Sequence, residues 1–185
     1  PILTRDLRRA GLSHFHALID RDKENSEDDG VYVIERTAIE NYLFDPISVW
    51  CLLHDEDKQP SVPGLQISRG RRGDVSGLPA DKLQLIVDTV LNEVEKYIAD
   101  LRECDRSLKD ISFVCGRTLK YPSWFLKLHK NQLKPAFQAA YHRLKRDNVN
   151  ELITSFSALG MVPLDLYQVL HRIQVANLDH QPDER

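Results

Sequence analysis

Asp20 and Asp22 close a short apolar run, His14-Phe15-His16-Ala17-Leu18-Ile19, at a spacing of i, i+2. If that run is a buried strand, both carboxylates leave it at its C-terminal end, where open α/β sheets hold their ligands. Two carboxylates on such a turn suit a hard cation. Mg²⁺ takes one or two carboxylates and fills its remaining positions with water and substrate phosphate oxygens. A cation held this way neutralises charge on a phosphodiester and generates a hydroxide nucleophile. The competing reading is a pair of solvated acids opening a surface loop, and the pair alone does not decide between the two.

Glu40, in Ile39-Glu40-Asn41-Tyr42-Leu43, is the next carboxylate. Thr37 stands three residues before it, so local rules make Thr37 an N-cap and Glu40 the reciprocal residue of a capping box. A third acid turned toward the same cation is the alternative, with Glu35 as its neighbouring competitor. Arg69, Arg71 and Arg72, interleaved with Gly70 and followed by Gly73, carry guanidinium forks that suit phosphate, or they are the solvated charges of a loop. Lys127, Lys130 and Lys134 follow Trp124 and Phe125. A lysine beside a metal cluster stabilises the charge of a pentacovalent phosphate, whereas exposed lysines at helical spacing do nothing of the kind. His14 and His16 share a strand face with Leu18 and read as packing residues.

These side chains need elements to position them. Leu3–Ala10 reads as a short helix stopped by Gly11, Phe15–Ile19 as the first strand, and Val31–Ile34 as a second. Ile39–Leu43 is a helical turn, and Pro46 opens a helix that runs to about Leu53. His54–Pro79, rich in Pro, Gly and charge, reads as loop. Asp81–Glu103 is the clearest helix, with Leu83, Ile86, Val87, Val90, Val94, Ile98 and Leu101 at helical spacing. Ile111–Val114 is a late strand, and Trp124–His129 a short helix or turn. Leu133–Arg146, Glu151–Leu159 and Leu164–Val175 form a terminal run of helices, and the tail from His180 frays. Strands come early and helices late, an α/β core with helical elaboration. The expected organisation is a core over 1–120 and a helical extension of the same domain over 121–185.

Composition limits the classes. At 185 residues with 42 % hydrophobic content, the chain fits one domain with an ordinary core. A net charge of −3 leaves any nucleic-acid contact to local patches. Cys51, Cys104 and Cys115 have no CxxC spacing, which argues against zinc and a disulfide framework and fits a reducing cytoplasm. No apolar run reaches membrane-spanning length.

Leu18-Ile19-Asp20-Arg21-Asp22, followed by Arg36-Thr37-Ala38-Ile39-Glu40-Asn41-Tyr42-Leu43, resembles the Toprim nuclease domain of the overcoming-lysogenization-defect (OLD) family and related Toprim-like domains of bacterial defence systems. There an (I/L)-x-D-x-D run ends a strand and an R-x-x-I-E-N-Y-L run follows. The second run is the longer and more specific, and together they cover about the first quarter of the chain. The resemblance implies a Toprim-like parallel sheet core and a Mg²⁺- or Mn²⁺-dependent endonuclease. Its substrate would be nucleic acid, DNA in first place, and it would work with an ATPase in cis or in trans in antiviral defence, with a homo-oligomer compatible with the resemblance. Carried over by position, Asp20 and Asp22 become the first metal ligands, Glu40 the acid of a second metal, and Lys130 the family's late lysine. The family also begins with a strand ending in glutamate, and no Glu precedes Asp20. The expectation is therefore an N-terminally incomplete core that cleaves weakly or not at all by itself.

Two other functions compete. A phosphatase of the haloacid-dehalogenase type also ends a strand in D-x-D, but it carries Thr or Val two residues after the second Asp, where this chain has Glu24. A non-catalytic interaction or regulatory module would keep the fold and use its C-terminal helices to dock an ATPase or a second copy.

Overall fold

A computed structural model describes residues 2–12, 15–21, 25–56, 58–68, 70–98, 105–145 and 149–178. Asp22, Arg69, His14, Leu101, Cys104 and the tail from His180 lie outside the described residues. In chain order the elements are α1 (Ile2–Arg9), β1 (Ala17–Ile19), β2 (Val31–Val33), α2 (Glu40–Leu43), α3 (Pro46–His54), α4 (Arg72–Ser76), α5 (Ala80–Glu95), β3 (Leu108–Ser112), β4 (Thr118–Pro122), α6 (Ser123–Lys127), α7 (Lys130–Ala140), a 3₁₀ turn (His142–Lys145), α8 (Val149–Leu159) and α9 (Leu164–Leu178). The molecule is mixed α/β, and helix predominates after the second strand.

β1 and β2 pair in parallel, with Ala17 opposite Val31 and Ile19 opposite Val33. The ladder is extended beyond the strands by Ile34 N–H donating to Ile19 O at 3.1 Å. Gly30 supplies the turn into β2 with φ of 70°, a backbone region that side chains other than glycine's rarely enter. Its missing Cβ also leaves room for the Arg8 side chain, which pairs with Asp29 at 2.7 Å and so fastens α1 to this turn.

The main core is built by the helices and the later hairpin. Every residue of α3, Pro46 through His54, is buried, so this helix is apolar around its whole circumference, as a central helix must be. α5 turns Leu83, Ile86, Val87, Val90, Leu91 and Val94 onto it, and α7 and α8 add Leu133, Phe137 and Leu152 to the same cluster. Asp45 caps α3, its Oδ1 accepting from Ile47 N–H at 3.0 Å, with Pro46 at the first helical position. That start follows the sequence expectation.

Three expectations are corrected. The helix expected over 81–103 ends at Glu95. Tyr97 N–H bonds Val94 O and Ile98 N–H bonds Glu95 O, short-range bonds that tighten the last turn and close the helix. The expected 54–79 loop contains α4. The single late strand is a hairpin, β3 antiparallel to β4, with Leu108 opposite Pro122 and Ser112 opposite Thr118. β4 buries Leu119 and Tyr121 and exposes Thr118 and Lys120, the period-two alternation of a strand with one face on the core.

Candidate metal centre

Asp20 stands one residue beyond β1, at the C-terminal end of a parallel strand. Asn25 Nδ2 donates to its carbonyl oxygen at 2.8 Å, and Arg21 Nε donates to Ile34 O at 3.0 Å. These bonds fix the backbone on both sides of the carboxylate. Among the described residues the carboxylate has two polar neighbours. Oδ1 accepts the Ile39 N–H at 2.9 Å, and Oδ2 lies 3.6 Å from Lys130 Nζ. Residues from three separate parts of the chain therefore meet at Asp20.

Glu40 opens α2, and the expected capping box is absent. The N-cap is Ile39, already in helical conformation at φ −60° and ψ −29°, with no side-chain cap bond. The physical reason is competition for the donors. Asp20 takes the Ile39 N–H at 2.9 Å and Leu126 O takes that of Thr37 at 3.2 Å, so neither Thr37 nor Glu40 caps this end. Glu40 Oε2 is buried and makes no hydrogen bond to the protein. A buried acceptor without a donor is costly, on the order of 1–3 kcal/mol, and a cation relieves that cost as well as a hydrogen bond does.

Lys130 opens α7, and the segment before it is held by the motif that contains Glu40. Asn41 Nδ2 donates to Phe125 O at 2.6 Å and to Leu128 O at 3.2 Å, while Thr37 N–H donates to Leu126 O at 3.2 Å. Asn41 is fully buried. Its side chain thus joins the start of α2 to the chain that delivers Lys130. Sequence reasoning assigned Asn41 no role, although an amide in an otherwise apolar Ile-Glu-Asn-Tyr-Leu run is a signal that its polar atoms have partners in the core.

A buried polar layer supports this junction from below. Arg36, 3 % exposed, donates from Nη1 to Asn41 O at 2.7 Å and lies 4.2 Å from the Tyr42 ring centroid. Its Nε is 3.6 Å from Asp165 Oδ2, which also accepts the Tyr42 hydroxyl at 2.8 Å. Tyr121 donates its hydroxyl to Asp45 Oδ2 at 2.9 Å. Burial pushes both tyrosine hydroxyls well above their ordinary range, which keeps them as donors. Burial also raises the Asp45 carboxyl, against the pull of the Arg36 charge and the Tyr121 hydrogen bond. Asp165 has no signal in the sequence, because it reaches the motif only through the packing of α9.

The remaining candidates fall elsewhere. Lys127 pairs with Asp105 at 3.1 Å. Arg71 is exposed and lies 3.8 Å from Asp74. Among the described residues no hydrogen bond or ion pair joins Arg71 to Asp20, Glu40 or Lys130. Arg72 begins α4, and Glu35 is exposed. Asp22 and Arg69 lie outside the described residues.

The described residues contain no group of three or more His, Cys, Asp or Glu side chains that would by themselves cage a metal. An octahedral Mg²⁺ site needs no such cage, since one or two carboxylates with water and substrate oxygens are sufficient. The donors present, the Asp20 carboxylate and the orphaned Glu40 oxygen, are hard oxygens that suit Mg²⁺ or Mn²⁺ and not a soft metal. No described helix is long and apolar enough to cross a membrane. Comparison with family models, curated proteins and solved structures gives no match to this chain.

Proposed function

We propose that this protein is a Toprim-type, Mg²⁺- or Mn²⁺-dependent endonuclease domain that hydrolyses phosphodiester bonds of nucleic acid, with DNA as the first substrate to test. The observation that carries the reading is the 3.6 Å approach of Lys130 Nζ to Asp20 Oδ2. Two residues distant in sequence, each with its own chemical reason to serve phosphoryl chemistry, meet where Asp20 also accepts the Ile39 N–H, and Glu40, the next residue along, has a buried Oε2 without a hydrogen-bond partner among the described residues.

Asp20, Asp22 and Glu40 would hold the cation. When bound, the cation supplies Lewis acidity and lowers the pKa of a coordinated water. The chain's own residues do the rest. Asp20 is held by the Ile39 N–H, so its carboxylate needs little reorganisation to accept a ligand. Lys130, half-exposed, is free to trade its Asp20 contact for a non-bridging phosphate oxygen, where its charge opposes the charge that develops on the phosphoryl group. Asn41 keeps that lysine's segment in register. An ATPase in cis or in trans, a role in antiviral defence and a second copy for the second strand belong to the same proposal.

The alternative is a non-catalytic module that docks an ATPase. One observation favours it: α9 exposes Leu164, Tyr167, Leu170, Val175 and Leu178, an apolar content higher than a solvated helix face requires. Nicking of supercoiled plasmid with Mg²⁺ or Mn²⁺ separates the two. The nuclease reading expects metal-dependent nicking that Asp20→Ala and Glu40→Gln abolish and EDTA stops. Nicking that survives both substitutions contradicts the nuclease reading; where no nicking is seen, Mn²⁺ binding that Asp20→Ala and Glu40→Gln weaken keeps it, as an incomplete core requires, and absence of metal binding favours the docking module.

A further inference from the structure

The two oxygens of the Asp20 carboxylate are not equivalent. Oδ1 accepts the Ile39 N–H at 2.9 Å. Oδ2 is the oxygen left to take a ligand, and Lys130 Nζ stands 3.6 Å from it. The two sides of this pair differ in freedom. Asp20 is held through its own backbone by Asn25, through its neighbour Arg21, and at its carboxylate by the Ile39 amide. Lys130 is fixed only at its backbone, where it begins α7. Its ammonium rides on a flexible four-carbon stem, and its side chain is 48 % exposed. The lysine is the partner that can leave.

An ammonium and a divalent cation compete for such an oxygen. Like charges a few ångströms apart repel, and a divalent ion doubles the repulsion of a univalent one. An ion that arrives at Oδ2 therefore has to break the existing pair and move the ammonium away. A lysine that served only the fold or only the transition state would act differently, since its removal would leave cation affinity unchanged or lower it.

We propose that Lys130 is a placeholder for the cation: it neutralises Asp20 until a divalent ion binds, competes with that ion for Oδ2, and swings away when the ion enters. The inference rests on the metal reading above and adds a sign to it, because the lysine that serves the phosphoryl group weakens the hold on the metal. Coupling between two ligands is reciprocal. An anion that draws the ammonium off Asp20, a phosphodiester oxygen above all, strengthens cation binding by the factor with which the cation strengthens its own. The site thus holds its metal weakly until a substrate phosphate arrives.

The test is calorimetric titration of the protein with Mn²⁺, without nucleic acid and at low ionic strength, where a half-exposed pair is least screened. Lys130→Ala is expected to bind Mn²⁺ about threefold more tightly than wild type, near the upper end of what such a pair contributes. Lys130→Arg keeps the charge and is expected to bind as wild type does. Lys134→Ala removes the same charge from an exposed position one turn further along α7 and is expected to change nothing. The inference is overturned if Lys130→Ala binds Mn²⁺ no more tightly than wild type, or if Lys134→Ala or Lys130→Arg tightens it as much. Wild-type binding that Lys130→Ala does not improve ends this inference and leaves the nuclease reading standing, whereas binding by neither protein ends both.

Discussion

At the scale of the residue, the site is organised by a side chain with no chemistry of its own. Asn41 satisfies Phe125 O, Leu128 O and Ala38 N–H with one amide. Replacing it by alanine leaves three buried backbone groups without that partner, and at about 1 kcal/mol or more for each the expected loss is roughly 2–4 kcal/mol, read from the urea midpoint. Asn41→Ala is also expected to lower any cleavage activity more than the stability loss explains, because it releases the segment that carries Lys130. Lys130→Ala, a half-exposed residue, should leave stability within about 0.5 kcal/mol of wild type. The same change should lower single-turnover cleavage by about 10²–10³-fold, the usual effect of removing one stabiliser of developing charge. At this scale Glu40 and Lys130 could be named from the sequence as candidates only. The job of Asn41 was not, because the two carbonyls it donates to lie more than eighty residues away and local rules offered Thr37 and Glu40 a cap where Asp20 in fact accepts the Ile39 N–H.

At the scale of the element, the start of α3 was legible because Asp45-Pro46 carries a side-chain cap and a fixed φ in adjacent residues. The hairpin was half legible. Its second strand shows alternation in Thr118-Leu119-Lys120-Tyr121, but the strand is short and ends in Pro122, so the helical signal of the following residues dominated. That strand also supports the site from behind, since Tyr121 donates to the cap of α3. Tyr121→Phe removes the donor and leaves a buried carboxylate with one partner fewer. The expected cost is about 1.5–3 kcal/mol, the range for hydrogen bonds to charged groups, measured by denaturant unfolding. The end of α5 was not legible, because Ile98 and Leu101 continue the helical spacing past the point where the backbone has turned.

At the scale of the molecule, long-range ion pairs close what the core leaves open. Glu56, just after α3, pairs with Arg143 in the 3₁₀ turn at 2.6 Å, and Arg143 also reaches Glu151 of α8 at 3.1 Å. The Arg143 hydrogen bond pulls the Glu56 carboxyl down to about 2 from the ordinary 4.5. A carboxyl depressed in the folded state stabilises it above the unfolded value and loses that stabilisation as pH falls through the folded one. Glu56 therefore contributes at neutral pH and fades between about 4.5 and 2. The difference in urea midpoint between wild type and Glu56→Gln should shrink across that window. Asp45 works in the opposite sense: its raised carboxyl costs stability at neutral pH and returns it as pH falls through the raised value. The mixed α/β class was legible as early strands and late helices, whereas that order carries no information on whether β1 and β2 pair in parallel. The convergence of β1, the start of α2 and α7 on the Asp20 carboxylate was not legible from composition and periodicity, which carry no information about which distant segments meet. The central claim is that this convergence holds a divalent cation, and titration calorimetry of the protein with Mn²⁺ tests it most directly. The account predicts saturable binding that Asp20→Ala and Glu40→Gln each weaken at least tenfold while Lys127→Ala leaves it unchanged. Binding that is absent in the wild type, or equal in all four proteins, would contradict it.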